Sequence, residues 1–100
     1  MRAPRRLLFS PRAAADLDEI AAYIARDNPA RAATFIAELE AQCRAVARLP
    51  LSYPTRDDLE AGVRMAVFHR YLVLFREVPE ANAVRIERVV HGARNLRRLI

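Results

Sequence analysis

The feature that most constrains the fold is the stretch 62–94, where the apolar period of the sequence becomes two. Apolar residues occupy every second position of 63–67, and both parities are apolar over 71–75. Alternation predicts β-strands, and an apolar run on both parities predicts a central strand that is covered on both faces. Turns are expected near His69–Arg70 and at 79–82. The stretch therefore predicts a three-stranded antiparallel meander.

The third strand of this meander carries an arginine among apolar residues. Val84, Ile86 and Val90 are expected to share one face, and Arg88 has the same parity. Such an arginine either lines a groove on the open face of the sheet or points to water at a bulge. We favour the groove.

The first half of the chain predicts two helices. Ser10 is expected to cap the first helix, with Pro11 at its first position. One face of that helix is apolar, at Leu17, Ile20, Ala21 and Ile24. A second helix begins in the same way, with Asn28 or Asp27 as its cap and Pro29 at its first position. It carries an apolar stripe of Ala32, Ile36, Leu39, Cys43 and Val46. The tight turn between the helices predicts an antiparallel hairpin.

The remaining segments complete an α+β fold. Arg5–Phe9 is a candidate N-terminal strand, and 94–100 is a basic amphipathic tail that is expected to form a short helical turn. The predicted order is strand, antiparallel two-helix hairpin, three-stranded antiparallel meander and C-terminal helical turn. A chain of 100 residues suffices for one core, so residues 1–100 are expected to form a single domain. Helices on one face of a small sheet leave the other face as a surface for another chain.

Composition limits the class of protein. An apolar fraction of 53% and a charged fraction of 29% indicate a globular chain rather than a disordered one. All 17 basic residues are arginine, and the net charge is +5. Two explanations account equally well for the exclusive use of arginine. One is a GC-rich genome, and the other is attraction to an acidic partner, either a phosphate backbone or an acidic protein segment.

Other site classes are disfavoured. Cys43 is the only cysteine and lies on the apolar stripe, so it is expected to be a buried hydrophobe. With two distant histidines, no zinc site and no cofactor are expected. The acidic run 57–60 is interpreted as a solvated loop. No apolar run approaches the ~20 residues that span a bilayer, and Leu7–Phe9 is too short for a signal core. A cytoplasmic protein is expected.

Several motifs follow one another along the chain. They are Ser10-Pro11 with Asp16-Leu17 and Ile20, Tyr23-Ile24 ahead of Asn28-Pro29, Pro50 and Pro54, Gly62-Val63-Arg64, Tyr71-Leu72-Val73-Leu74-Phe75, and Arg88-Val89-Val90-His91-Gly92-Ala93-Arg94. In this order and spacing the chain resembles the ParE/RelE superfamily of bacterial type II toxin–antitoxin systems, and within it the ParE (plasmid-stabilisation) branch.

The resemblance implies a growth-inhibiting toxin that a neighbouring gene's antitoxin neutralises. The C-terminal segment of the antitoxin would cover the sheet and the helical hairpin in a hetero-oligomer. Members of the ParE branch are associated with inhibition of DNA gyrase, and members of the RelE branch cut messenger RNA in the ribosome. No membrane contact and no sequence-specific DNA binding by the toxin alone are expected.

The residues favour binding over catalysis. Ribonuclease members of the superfamily use clustered lysine and arginine with a Glu, His or Tyr near the C-terminus. This chain has no lysine and no tyrosine after Tyr71. His91 is the single acid/base candidate near Arg88 and Arg94, and Glu87 lies about 13 Å away along a strand. We expect a toxin that is not an enzyme, with a RelE-like endoribonuclease using His91, Arg88 and Arg94 as the alternative.

The residues expected to contact the antitoxin or the target are Arg64, Arg88, His91, Arg94 and Arg97. Arg64, Arg88 and Arg94 would form a basic patch, with solvated strand-edge arginines as the alternative. Tyr71 is interpreted as sheet packing. A third hypothesis, a basic nucleic-acid-binding module, is disfavoured because the arginines lack exposed aromatic neighbours for base stacking.

Overall fold

The computed structural model describes residues 5–93. In chain order, the elements of this range are β1 (Arg6–Phe9), α1 (Pro11–Ala25), α2 (Pro29–Arg48), β2 (Arg64–Phe68), β3 (Tyr71–Val78) and β4 (Ala83–His91). The order of strand, helix hairpin and meander is the predicted α+β architecture. The expected helical turn at 94–100 lies outside the described residues.

The strands form one sheet in the order β1-β4-β3-β2. β1 is parallel to β4, and the other neighbours are antiparallel, so the predicted meander is confirmed. β3 lies inside the sheet, where Val73 and Phe75 on one face and Leu74 on the other are fully buried. Both faces of this strand are therefore covered, as its apolar run predicts.

Each helix begins at its predicted cap. The Ser10 hydroxyl accepts a hydrogen bond from the Ala13 amide at 3.0 Å, and the Asn28 side chain accepts one from the Arg31 amide at 3.0 Å. A proline follows each cap, where its missing amide donor costs nothing. The two helices pack on the sheet face that carries Val73.

The core between helices and sheet is apolar. Leu39, Cys43 and Val46 of α2 are fully buried there, with Ile20 from α1. Burial raises the pKa of the Cys43 thiol to about 12, so it stays neutral and packs as a small hydrophobe, as predicted. Within residues 5–93, neither helix has the length and apolar character that crossing a membrane requires.

β4 contains a bulge at Glu87. Leu74 of β3 pairs with Arg88, but the next residue, Phe75, pairs with Ile86, so Glu87 has no partner in β3. One extra residue in a strand reverses the alternation of side chains beyond it.

The bulge changes which residues of β4 face the helices. Val84 and Ile86 face the core before the bulge, and Val89 joins the same core beyond it. Val90 and Arg88 then lie on the opposite face. The prediction that Val90 shares a face with Val84 and Ile86 was wrong, because strict alternation does not allow for an inserted residue.

The acidic run lies in the irregular segment before β2, as predicted. The Asp57 carboxylate accepts a hydrogen bond from the Gly62 amide at 2.9 Å, and Asp58 binds the Arg56 guanidinium at 2.8 Å. Gly62 has φ +85°, a left-handed conformation that favours glycine. These carboxylates therefore stabilise the loop that leads into the meander.

Candidate functional site

Arg88 is held by Asp16 of α1. Its Nε and Nη2 atoms donate to the two carboxylate oxygens at 2.8 and 2.9 Å, and the Val89 amide donates to the same carboxylate at 2.9 Å. Arg88 is 8% exposed and Asp16 is 6% exposed. The hydrogen bond to Asp16 raises the pKa of the Arg88 guanidinium. Arg88 lines an open groove of about 240 Å³ beside Arg76 and Glu87, as the groove interpretation predicts, but its guanidinium is paired with Asp16 there. Its contact with a partner stays a prediction.

The topology explains this pair. β1 pairs with β4 only as far as Ile86, so the edge of β4 beyond that residue is free for α1. The Ser10 hydroxyl donates to the Glu87 carbonyl at 2.8 Å. The Asp16 carboxylate accepts from the Val89 amide on the same edge of β4. The sequence analysis named Asp16 only as part of a motif and did not predict this pairing. The available signal was its place on the buried face of α1.

Arg64 and Arg88 lie on opposite faces of the sheet. Arg64 pairs with Phe75 in register and therefore faces the helices. Its Nη1 donates to the Tyr53 carbonyl at 2.7 Å. The structure therefore does not place Arg64 and Arg88 in one basic patch. The third predicted member of that patch, Arg94, lies outside the described residues.

His91 ends β4 and is exposed. Its ring lies 5.6 Å from the Tyr71 ring in an edge-to-face arrangement, and its Nδ1 accepts a hydrogen bond from the Ala93 amide at 3.2 Å. This bond assigns Nε2 as the nitrogen that remains for other contacts. Arg97, like Arg94, lies outside the described residues, so partner contacts of all three remain predictions.

An open groove of about 510 Å³ lies at the His91 end of the sheet. The end of α1, the first turns of α2, the β2–β3 loop and the end of β4 form it. We call it the aromatic groove, and its lining residues are Tyr23, Ile24, Phe35, His69, Arg70, Tyr71 and His91.

Phe35 forms the floor of the aromatic groove. The rings of Phe68, His69 and Tyr71 lie 5.4, 5.5 and 5.8 Å from its centroid. These distances are those of favourable edge-to-face and tilted aromatic pairs. Because the rings come from α2, β2, β3 and the loop between the strands, the tertiary structure brings them together.

The rim of the aromatic groove is cationic. The Arg26 guanidinium lies 6.0 Å from the Tyr23 ring, and Arg31 lies over Phe35 at 5.2 Å. Glu38 pairs with Arg31 at 2.8 Å, and this hydrogen bond lowers the pKa of Glu38. The Arg70 side chain makes no hydrogen bond or ion pair within residues 5–93, and none of the seven lining residues is acidic.

Two tyrosines of the groove differ from the predictions. Tyr23 is 65% exposed and lies under Arg26, so an arginine does have an exposed aromatic neighbour. The stated objection to base stacking was therefore wrong. Tyr71 packs on the sheet as predicted but is only half-buried and also lines the groove. Burial raises the pKa of its hydroxyl, which is therefore protonated at neutral pH.

Arg88 and His91 leave β4 on different faces of the sheet. Arg88 lies on the face opposite His91, because the pairing of Val73 with Val89 turns odd positions of β4 toward the helices beyond the bulge. The Arg88 guanidinium is nevertheless bound to Asp16 of α1, which lines a small pocket together with His91. In the described part of the chain, no three His, Cys, Asp or Glu side chains converge to hold a metal ion.

Comparisons with known proteins agree with this architecture. The sequence model of one family, described as the ParE toxin of the type II toxin–antitoxin system parDE, matches residues 7–96. The chain is similar in structure to the chromosomal ParDE toxin–antitoxin system of P. aeruginosa, with 21% identity, a TM-score of 0.75 and coverage of 88% of this chain and 96% of that chain. It is also similar to the toxin–antitoxin complex RelBE2 of Mycobacterium tuberculosis, with 27% identity, a TM-score of 0.67 and coverage of 94% and 98%. A comparison with curated protein sequences found no match.

Proposed function

The chain belongs to the ParE toxin family of type II toxin–antitoxin systems, and from this premise we propose that it inhibits DNA gyrase by binding and is neutralised by a cognate antitoxin. The proposal makes it a growth-inhibiting protein of the cytoplasm that has no catalytic residues of its own.

The observation that carries the proposal is the pairing of the Arg88 guanidinium with the Asp16 carboxylate. Ribonuclease chemistry needs a cation that can neutralise a phosphate beside an acid/base group. Both Arg88 Nε and Nη2 are bound to the Asp16 carboxylate, so neither atom is available to neutralise a phosphate. The sequence also contains no lysine, which is one of the two cationic side chains that ribonuclease members of the superfamily use.

An antitoxin partner is supported by both structural relatives, which are toxin–antitoxin systems. The chain also offers a second groove of about 530 Å³ on the outer side of the helical hairpin, lined mainly by alanines of both helices with Ile36 and Glu40. Small side chains allow the backbone of a partner segment to approach closely. We propose that the antitoxin segment packs on this outer groove in a hetero-oligomer.

The first test compares two reactions with the purified toxin. We expect it to abolish the supercoiling of relaxed plasmid by gyrase and to leave an in vitro translation reaction and its messenger RNA intact. Induced expression should halt bacterial growth, and co-expression of the antitoxin encoded beside the toxin should restore it. Active gyrase together with cleaved message would contradict the proposal.

The alternative is a RelE-like, ribosome-dependent endoribonuclease, which His91 keeps open because it lines the groove and its hydrogen bond to the Ala93 amide uses only Nδ1. In that case, cleavage sites should map to the message only in the presence of ribosomes. His91→Ala should then abolish cleavage, whereas a structural histidine would leave it nearly unchanged.

A further inference from the structure

We propose that the aromatic groove is the surface by which the toxin holds its target, and that it takes an acidic protein segment carrying one bulky apolar side chain. The inference rests on the proposed function in one respect, that the target is a protein. It adds the site on the toxin and the chemistry of the segment that the site binds.

The apolar half of the groove is built to receive a large side chain. Phe35 is almost fully buried and is fixed by three neighbouring rings, so the floor is rigid. Tyr23 and Tyr71 form two of the walls. Tyrosine and arginine are enriched in the residues that dominate binding energy at protein interfaces, and a rigid pocket loses little entropy when it is filled.

The charge of the rim selects an acidic occupant. Arg70 stands at the β2–β3 loop without a side-chain partner in the described range, and no carboxylate lines the groove. Arg31 is already neutralised by Glu38. An acidic residue beside the inserted apolar side chain would therefore pair with Arg70, and complementary charge at a rim raises association rate and specificity.

The backbone at His69 is a second, independent observation. His69 is the first residue of the two-residue loop between β2 and β3 and has φ 54°. Glycine is preferred at a positive φ in such loops because a side chain is strained there. Histidine here places its ring 5.5 Å from Phe35 and 4.5 Å from Phe68, at the mouth of the groove. His69 therefore places an aromatic ring at the groove in a backbone conformation where glycine would be less strained.

A protein segment fits the site better than a nucleic acid strand. A strand needs a row of free cations along its phosphates and several open ring faces for its bases. Here Arg31 is bound to Glu38 and Phe35 is 7% exposed, so neither is available to a nucleic acid strand. The groove thus offers an apolar floor and, at its mouth, the Arg70 guanidinium, which has no hydrogen bond or ion pair within residues 5–93. This is the complement of an apolar anchor flanked by a carboxylate.

Three matched pairs of variants test the inference. Arg70→Glu reverses the rim charge, with Arg44→Glu, an exposed position of α2, as its control. His69→Gly removes the ring and relieves the strain, with Asn82→Gly, the other non-glycine residue at positive φ (48°), as its control. Tyr23→Ala removes an exposed wall, with Leu51→Ala, which is 61% exposed outside the groove, as its control.

The readouts are the toxin concentration that half-inhibits gyrase supercoiling, the growth arrest on induced expression and the melting temperature. We expect each groove variant to need about tenfold more toxin for half-inhibition, as the loss of one interface anchor predicts, and each control to match the wild type. His69→Gly should lose potency while its melting temperature stays equal or rises. Added salt should weaken the wild type more than Arg70→Glu.

The outcomes separate the two proposals. Full potency of Arg70→Glu, His69→Gly and Tyr23→Ala against gyrase would overturn the groove as the target site and leave the proposed function standing. If the wild type arrests growth but spares gyrase, the proposed target is wrong, and loss of growth arrest in the groove variants alone would still support the site. Cleaved message that disappears with Arg70→Glu would overturn the protein-segment inference in favour of RNA.

Discussion

At the scale of single residues, the buried Arg88 is tolerated because a carboxylate from far earlier in the chain meets it. Asp16 matches the guanidinium with two hydrogen bonds and takes the Val89 amide as well. A buried ion pair contributes little net stability when compared with an apolar pair, but removal of one partner leaves an uncompensated charge.

Asp16→Ala is therefore expected to destabilise the fold by about 3–5 kcal/mol, because it leaves the Arg88 charge buried and unpaired. Urea unfolding monitored by circular dichroism measures this. The double variant Asp16→Leu/Arg88→Met should recover most of the loss, since it removes both charges.

Asp18→Asn is the matched control, because Asp18 is an exposed carboxylate on the same helix. A cost below about 1 kcal/mol for Asp16→Ala would show that the pair is not the contact that fixes α1 to β4.

At the scale of elements, the Ser10 side chain forms hydrogen bonds with both α1 and β4, whereas the Asn28 side chain caps α2 alone. Ser10 caps α1 and also donates to the Glu87 carbonyl of β4 at the bulge. Asn28 caps α2 on an exposed surface. Both residues precede a proline, so the two caps differ mainly in this second hydrogen bond.

We expect Asn28→Ala to cost about 1 kcal/mol, a usual value for a lost cap. Ser10→Ala should cost about 1 kcal/mol more, because the Glu87 carbonyl also loses its donor. Denaturant midpoints of the two variants and the wild type give the comparison. Equal losses would indicate that the bond from Ser10 to β4 adds nothing to the cap.

At the scale of the whole molecule, core packing sets a dependence of stability on alkaline pH. The ordinary pKa of a thiol is 9.0, and in the folded chain the pKa of Cys43 is about 12. The pKa of Tyr71 is raised by burial in the same sense. The folded state thus keeps protons that the unfolded state releases.

The contribution of Cys43 is fully present below its unfolded pKa and is lost as the pH rises from about 9 toward 12, by about 1.4 kcal/mol per pH unit. Tyr71 acts in the same direction. Urea midpoints at several pH values between 7 and 10.5 measure the slope. Cys43→Ala should be less stable at pH 7 and show a shallower slope above pH 9. Parallel slopes for the two chains would contradict the assignment to Cys43.

Much of the fold was predictable because local patterns carry it. The caps at Ser10 and Asn28 define where the helices begin, and the two-residue loop at His69–Arg70 separates two alternating runs. The candidate site was less predictable. Of the predicted contact residues in the described range, His91 alone lines the aromatic groove, and Tyr23, Phe35, His69 and Arg70 come from segments that no local pattern relates to it.

The sequence by itself determined the element order, the central position of β3 and the family, because apolar period, caps and ordered motifs are local and need no knowledge of packing. The tertiary structure alone decided that Arg88 pairs with Asp16 and which residues line the aromatic groove. One inserted residue, Glu87, reverses the face of every later residue in β4, and the contact of Asp16 with Arg88 spans 72 positions. Such long-range pairings depend on how helices dock on the sheet, which periodicity does not encode.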